Sequence, residues 1–310
     1  MIKRVLITGS NGLLGQKLVA LLHQQAEVEI IATSRGSNKL ATLFPAVRFV
    51  SLDVTDLQQV QQVLQAEQPT HLIHTAAMTN VDECELNQAA CWLQNVTAVE
   101  NLVAGCAQLA VHLLHVSTDF IFSGEQGPLT EDAAPAPVNF YGQSKLAAEQ
   151  VVRAGSAQWS IVRTVLVYGT AHEYGRSNIV LWVRDSLRAG KQIQVVDDQF
   201  RTPTLAEDLA QGCWLVVKHN APGIFNISSR ELLTPFQMAI QVADYFGLDK
   251  TLIVRANSST FTQPARRPAR TGFIIDKARD QLGYQPHTFG EGIELLAHQM
   301  QEQQGREQQE

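Results

Sequence analysis

Eight residues near the start, Thr8-Gly9-Ser10-Asn11-Gly12-Leu13-Leu14-Gly15, restrict this chain more than any other segment. They follow an apolar run at 4–8, which has the length of a buried strand. They open an amphipathic run at 12–24 with helical spacing. Glycines between a strand and a helix let the backbone turn sharply and approach a bound group closely. The helix start then presents free N–H groups and the positive end of its dipole. A pyrophosphate suits such a turn, and within a βαβ unit that means a dinucleotide. Gly9, Asn11, Gly12, Leu13, Leu14 and Gly15 are therefore candidate cofactor-binding residues.

The same alternation continues for half the chain. Apolar or β-branched runs at 4–8, 29–33, 47–51, 71–75, 112–117 and 159–163 alternate with amphipathic runs at 12–24, 56–67, 88–110 and 141–154. This rhythm predicts an α/β fold, a Rossmann-like doubly wound parallel sheet with helices on both faces. It breaks after Gly169, where a polar stretch at 170–177 includes Gly175 and leads into less regular elements. Pro264 and Pro268 punctuate a basic loop further on. We expect a dinucleotide-binding domain over 1–169 and a smaller C-terminal substrate-binding lobe over 170–310, with some elements returning to the sheet. The polar end, 301–310, reads as a frayed helix end or a disordered tail.

Several function classes fall away on composition. A net charge of -6 argues against a general polyanion binder, so no nucleic-acid partner is expected. No apolar stretch approaches the ~20 residues that span a bilayer. Lys3 and Arg4 precede only a short apolar run, so neither a membrane partner nor a secretory signal is expected. Cys84, Cys91, Cys106 and Cys213 form no C-x-x-C pair and read as small core or surface residues of a cytoplasmic protein. His71/His74 and His112/His115 are three apart in strand-like runs. Each pair then points to opposite faces of a sheet, so no metal site is expected.

The end of the second strand reports on the cofactor's ribose. An acid there would accept from a 2′-hydroxyl, whereas an arginine pairs with a 2′-phosphate. The chain has Thr33-Ser34-Arg35 and no acid, so Ser34 and Arg35 favour NADP(H), with NAD(H) as the alternative. Ala76, Ala77 and Met78 end the fourth strand, where small residues allow close passage of the cofactor.

Tyr141 and Lys145 form Y-x-x-x-K at the start of a predicted helix. Residues four apart share a helix face, so an ammonium can lie near the phenol and favour proton transfer. Thr118 stands twenty-three residues before Tyr141, in the run Ser117-Thr118-Asp119-Phe120-Ile121-Phe122 at the end of the fifth strand. Thr118 can orient the reacting oxygen there, because active sites of open α/β sheets gather at strand C-terminal ends.

The G-x-x-G-x-x-G spacing resembles the extended short-chain dehydrogenases. The run at 117–122, Tyr141-Gly142-Gln143-Ser144-Lys145, Arg163 to Gly169, Asp198 to Ala210, Arg267-Pro268, Asp276-Lys277-Ala278 and Leu282-Gly283-Tyr284 resemble the dTDP-4-dehydrorhamnose reductases within them. The resemblance spans nearly the whole chain. It implies Thr118, Tyr141 and Lys145 as catalytic residues and an NADPH-linked reduction of a nucleotide-diphospho-4-keto sugar. It adds Asp53 and Val54 at the adenine, and Asn95 as a supporting residue of the cofactor-binding set. It places Thr118, Asp119, Phe120, Arg201 and Arg267 at the substrate, the two arginines at its phosphates. Phe120 departs from the tyrosine common in these reductases, so any contact made by that hydroxyl is absent here.

Two alternatives remain. A nucleotide-sugar epimerase or dehydratase would hold NAD tightly, but dehydratases carry Asp-Glu after the threonine and here Phe120 follows Asp119. A non-catalytic NADP-binding regulatory subunit, such as the β-subunit of methionine adenosyltransferase, resembles the same reductases. A homodimer is the assembly left open.

Overall fold

The computed structural model describes residues 2–155, 158–173 and 177–307. Gly175 and the last three residues of the polar end lie outside them. The first half builds β1 (Lys3–Thr8), α1 (Leu13–Leu22), β2 (Val28–Ser34), β3 (Arg48–Ser51), α2 (Leu57–Glu67) and β4 (His71–His74). Next come α3 (Val81–Leu86), α4 (Gln88–Trp92), a π-helical turn at Leu93–Thr97, α5 (Ala98–Leu109), β5 (His112–Thr118), α6 (Phe140–Gly155) and β6 (Trp159–Thr164). The second half adds β7 (Val167–Tyr168), α7 (Ile179–Arg188), β8 (Ile193–Val196), β9 (Thr204–Leu205), α8 (Ala206–His219) and β10 (Gly223–Asn226). The chain closes with α9 (Pro235–Phe246), β11 (Ile253–Ala256), α10 (Asp276–Leu282) and α11 (Phe289–Glu307).

The main sheet has the order β10-β6-β5-β4-β1-β2-β3, and all its neighbours pair in parallel. The strand order reverses between β1 and β4, which opens a crevice at their C-terminal ends. Leu6, Leu72, Leu113 and Ile161 point to the face covered by α2, α5 and α6. Val5, Ile7, Ile73 and Leu114 point to the face covered by α1 and α8. Both faces are thus apolar, which is why the strands read as unbroken hydrophobic runs.

Past β6 the chain builds a second, smaller core around Tyr168, Val183, Met238, Val242, Phe289 and Ile293. β8 and β11 form a separate two-stranded sheet there. α8 and β10 return to the main sheet, with Trp214 and Phe225 in the first core. α9 starts on a capping box between Thr234 and Gln237, with Pro at its first turn. α11 continues through Glu307, so most of the Gln/Glu-rich end is helix.

The expected helix over 88–110 is not one regular helix. It is α4, the π turn and α5 in succession, and a further helix, α3, precedes it. One buried ion pair locks α6 to the sheet. Arg163 of β6 makes two bonds to Glu149, at 3.0 and 2.7 Å, and both side chains are buried.

Candidate active site

The glycine turn is shaped by contact. Gly9 has φ +70, and a Cβ on it would stand 2.9 Å from both the Ala76 nitrogen and Thr75 Oγ1. A Cβ on Gly15 would lie 2.6 Å from Ser10 Cα and closer still to the Gly9 carbonyl. Gly9 therefore lets β4's continuation pass, and Gly15 seats α1 on the turn. Gly12 differs: a Cβ there would meet only the Gly9 carbonyl, at 3.2 Å. Gly12 starts α1 with no side-chain cap, and no acid stands in the first turn. That helix end can accept an anion such as a pyrophosphate. Asn11 braces the neighbouring loop instead of facing outward. Its amide donates to the Ser37 carbonyl at 2.8 Å and its oxygen accepts from Lys39 N at 3.1 Å. Leu13 and Leu14 are half-buried beside it.

At the end of β2, Ser34 is half-buried and Arg35 is exposed. The Arg35 guanidinium stands 3.8 Å from an Asp53 oxygen. Burial works to raise Asp53, but hydrogen bonds from Thr55 and the Arg35 charge hold it below the usual carboxylate range. Val54 is buried, and its carbonyl accepts from Asn101 at 3.1 Å. Arg35 thus keeps most of its fork available at the place where a 2′-phosphate would sit. Together with the uncapped helix start, this set fits an NADP-type dinucleotide.

Asn95 lies in the π turn and is buried. Its oxygen accepts from Met78 N at 2.8 Å, and its amide donates to the Met78 carbonyl at 3.0 Å and to Ser144 Oγ at 3.0 Å. Ser144 in turn donates to the Tyr141 carbonyl at 2.7 Å. Asn95 therefore ties the half-buried segment Ala76, Ala77, Met78 to the first turn of α6. The extra residue of a π turn is what places its amide between them.

Thr118, Tyr141 and Lys145 come together at the C-terminal end of β5, all three buried. Burial pushes the Tyr141 phenol well above its ordinary range, and a hydrogen bond with Thr118 opposes that shift. Burial lowers Lys145 to about 8, opposed by the Glu149 carboxylate. The Lys145 ammonium donates to the Val116 carbonyl at 2.7 Å and meets His115 Nε2 at 3.1 Å. The ammonium was expected to favour proton transfer by the phenol; in this structure burial outweighs the other influences on Tyr141. Gly142 lets α6 press onto the threonine segment. A Cβ there would lie 3.0 Å from Pro137 Cβ and would strike the Phe120 carbonyl.

Asp119 does not present a free carboxylate. It accepts from the Thr118 hydroxyl at 3.2 Å and from Thr271 Oγ1, and Arg201 Nε stands 3.7 Å away. Burial raises its pKa, with Arg201 as the chief opposing charge. Phe120 packs its ring edge-on against Tyr141, with centroids 5.7 Å apart.

Arg201 and Arg267, the arginines expected at the substrate phosphates, are engaged within the protein. Arg201 is buried and donates to the carbonyls of Phe200 at 2.7 Å, Pro268 at 2.6 Å and Ala269 at 3.3 Å. Arg267 forks onto Asp82 with two bonds of 2.6 Å. Beside them a cleft of about 470 Å³ runs between Ser123, Gln199, Ser258, Phe261, Arg266 and Arg267. Two arginines line it: Arg266 is exposed, and Arg267 is largely buried in its pair with Asp82.

The sequence reading missed a row of cross-strand histidines. Register sets His71 beside His112 and His74 beside His115, each pair stacked with centroids 5.5 Å apart. The matched three-residue spacing in two strands carried that signal. Among the described residues no group of three or more His, Cys, Asp or Glu is placed to hold a metal. Among the described residues no helix is long and apolar enough to cross a membrane.

Residues 3–302 match the family model described as the RmlD substrate binding domain. The chain is 34% identical to a dTDP-4-keto-6-deoxy-D-glucose reductase of Streptomyces niveus, over 90% of this chain and 91% of that protein. It is 29% identical to methionine adenosyltransferase 2 subunit beta of Xenopus tropicalis, over 79% of this chain and 73% of the other. The fold superposes with a TM-score of 0.85 on a dTDP-4-dehydrorhamnose reductase of Bacillus anthracis solved in complex with NADP. That match is 29% identical and covers 96% of this chain and 100% of that one.

Proposed function

This chain belongs to the RmlD substrate binding domain family, and from that premise we propose an NADPH-linked reductase of a nucleotide-diphospho-4-keto sugar. The observation that carries the reading is the buried Thr118, Tyr141 and Lys145 group at the C-terminal end of β5. Gly9, Gly12 and Gly15 line the turn that takes the pyrophosphate, with Leu13 and Leu14 at the helix start. Ser34 and Arg35 take the 2′-phosphate, Asp53 and Val54 border the adenine, and Ala76, Ala77 and Met78 flank the ribose. When bound, NADPH supplies a hydride to the keto carbon.

The chain's own residues do the rest. Tyr141 passes its phenolic proton to the carbonyl oxygen as that oxygen becomes an alcohol. Thr118 donates a hydrogen bond to the same oxygen and fixes its direction. Lys145 offsets the charge left on the tyrosine, which then recovers a proton from solvent. Burial of all three keeps water from competing and strengthens each interaction. Arg267 exchanges Asp82 for the diphosphate. Arg201 braces the loop that carries it and completes the grip as that loop yields. Phe120 offers the sugar an apolar face.

Stoichiometric NADPH oxidation with a nucleotide-linked 4-keto sugar tests this reading. Arg267→Ala should weaken sugar-nucleotide binding by roughly 10- to 100-fold, the loss of a charge-assisted contact, and leave NADPH binding unchanged. A non-catalytic regulatory subunit is the second reading, supported by the likeness to the Xenopus protein. Binding of NADPH without turnover of any such sugar would favour it.

A further inference from the structure

We infer that His115 is a positioning residue that aims the Lys145 ammonium, acting as a permanent neutral acceptor anchored to the glycine turn. The inference rests on the proposed reaction only for the role of Lys145; the contact itself is geometric.

An ammonium has three donors and no acceptor. The 3.1 Å contact between Lys145 Nζ and His115 Nε2 therefore requires a lone pair on that nitrogen. The imidazole must be neutral, with its proton on Nδ1. Burial, then the charge of Lys145, then His74 hold His115 well below its ordinary pKa, so the acceptor persists across working pH. His115 Nδ1 is buried and has no hydrogen-bond partner in the protein. A ring chosen only for packing would not leave that N–H unpaired, at the desolvation loss it entails.

The ring's direction is fixed from β1. Thr8, His74 and His115 sit side by side in register on β1, β4 and β5. Thr8 Oγ1 accepts from Thr75 N at 3.2 Å and shares a hydrogen bond with His74 Nδ1 at 2.8 Å. His74 stacks on His115 with an interplanar angle of 26°. Thr8 immediately precedes Gly9, so the lysine's aim is referenced to the turn through three side chains. With two donors spent on His115 and Val116, one remains for the crevice. Other groups facing the ammonium are Glu149 on α6, Cys91 on α4 and His74 on β4.

The test uses the full chain with NADPH bound. His115→Phe keeps a ring against His74 and removes the acceptor; His115→Gln restores an acceptor at similar reach. Lys145 is titrated by NMR on lysine-labelled protein, and kcat is followed against pH on the keto sugar. Both are repeated with Cys91→Ala, so that the thiol cannot supply the titration. His115→Phe should lower the Lys145 midpoint by about one pH unit or more, the loss of one hydrogen bond to a charged group. The alkaline limb of kcat should move with it, while the sugar KM stays within about twofold of the parent. His115→Gln should match the parent in both. An unmoved Lys145 midpoint in His115→Phe overturns the inference. If that variant does not fold, His115→Asn, whose amide is too short to reach, should give the same downward shift, and an unmoved midpoint there overturns it equally. A midpoint lowered in His115→Phe, with a parent that reduces no sugar, supports His115 and removes the reductase reading instead.

Discussion

Gly142 separates stability from catalysis more cleanly than any other position. It lies between Tyr141 and Lys145, where α6 presses on the segment carrying Thr118. In Gly142→Ala the new Cβ would start 3.0 Å from Pro137 Cβ, against an ordinary carbon–carbon separation of about 3.5–4.0 Å. The contact must open by about 0.5–1 Å, and by more at the Phe120 carbonyl, which is backbone and cannot rotate away. Overpacking of this kind costs about 1–3 kcal/mol. Alanine inside a helix returns roughly 0.8–1.0 kcal/mol relative to glycine. The net loss of stability is therefore at most about 2 kcal/mol. Turnover should suffer more, because a misplacement near 1 Å can cost roughly 10²-fold. Steady-state NADPH oxidation and urea denaturation, run on the same preparation, measure both. The expected outcome is a kcat lowered about 10- to 100-fold with a denaturation midpoint lowered by an amount worth at most about 2 kcal/mol. Parental kcat would refute the close-approach argument.

Other outcomes follow from the same geometry. Arg35→Asp should move cofactor preference from NADPH to NADH, read by titrating each cofactor; unchanged preference counts against the 2′-phosphate role. Arg163→Met strands the buried Glu149 carboxylate and should destabilise the fold by about 3–5 kcal/mol, measured by chemical denaturation. Burial lowers Lys145 to about 8 in the folded protein, from the 10.5 of a free lysine. Between those values the unfolded chain holds the extra proton, so this group's contribution to stability rises with pH across that window. Activity should do the opposite: kcat/KM should fall above about pH 8 as the ammonium is lost. A pH profile flat through pH 9.5 would exclude Lys145 as the titrating group.

The parallel sheet was legible because its inner strands β1, β4 and β5 send apolar side chains to both faces and each is followed by a helix; the edge strand β3 is polar at both ends and follows β2 through a loop without a helix. The turn at Gly9 and the Tyr141/Lys145 pair were legible because their chemistry depends on spacing along one chain. Contacts between chain segments were not. Asn95 reads as one more polar residue of an amphipathic run, and only the π turn shows that it joins Met78 to Ser144. His74 and His115 read as isolated strand residues until register sets them side by side. Arg201 reads as an open cation, yet the Pro268 and Ala269 carbonyls absorb its donors. Asp119 reads as a substrate contact, yet Thr118 and Thr271 occupy it. Charge and residue type give the capacity for a contact, and packing decides where it is spent.

The most direct test of the account is turnover by Tyr141→Phe. The parent and the variant are each mixed with NADPH and a nucleotide-diphospho-4-keto-6-deoxy sugar, and NADPH oxidation is followed alongside formation of the alcohol. The account predicts one alcohol formed per NADPH by the parent. It predicts a variant that binds NADPH equally well but turns over about 10²–10⁴-fold more slowly, as expected for loss of a positioned proton donor. A variant as fast as the parent, or a parent that binds both molecules and forms no alcohol, would contradict it.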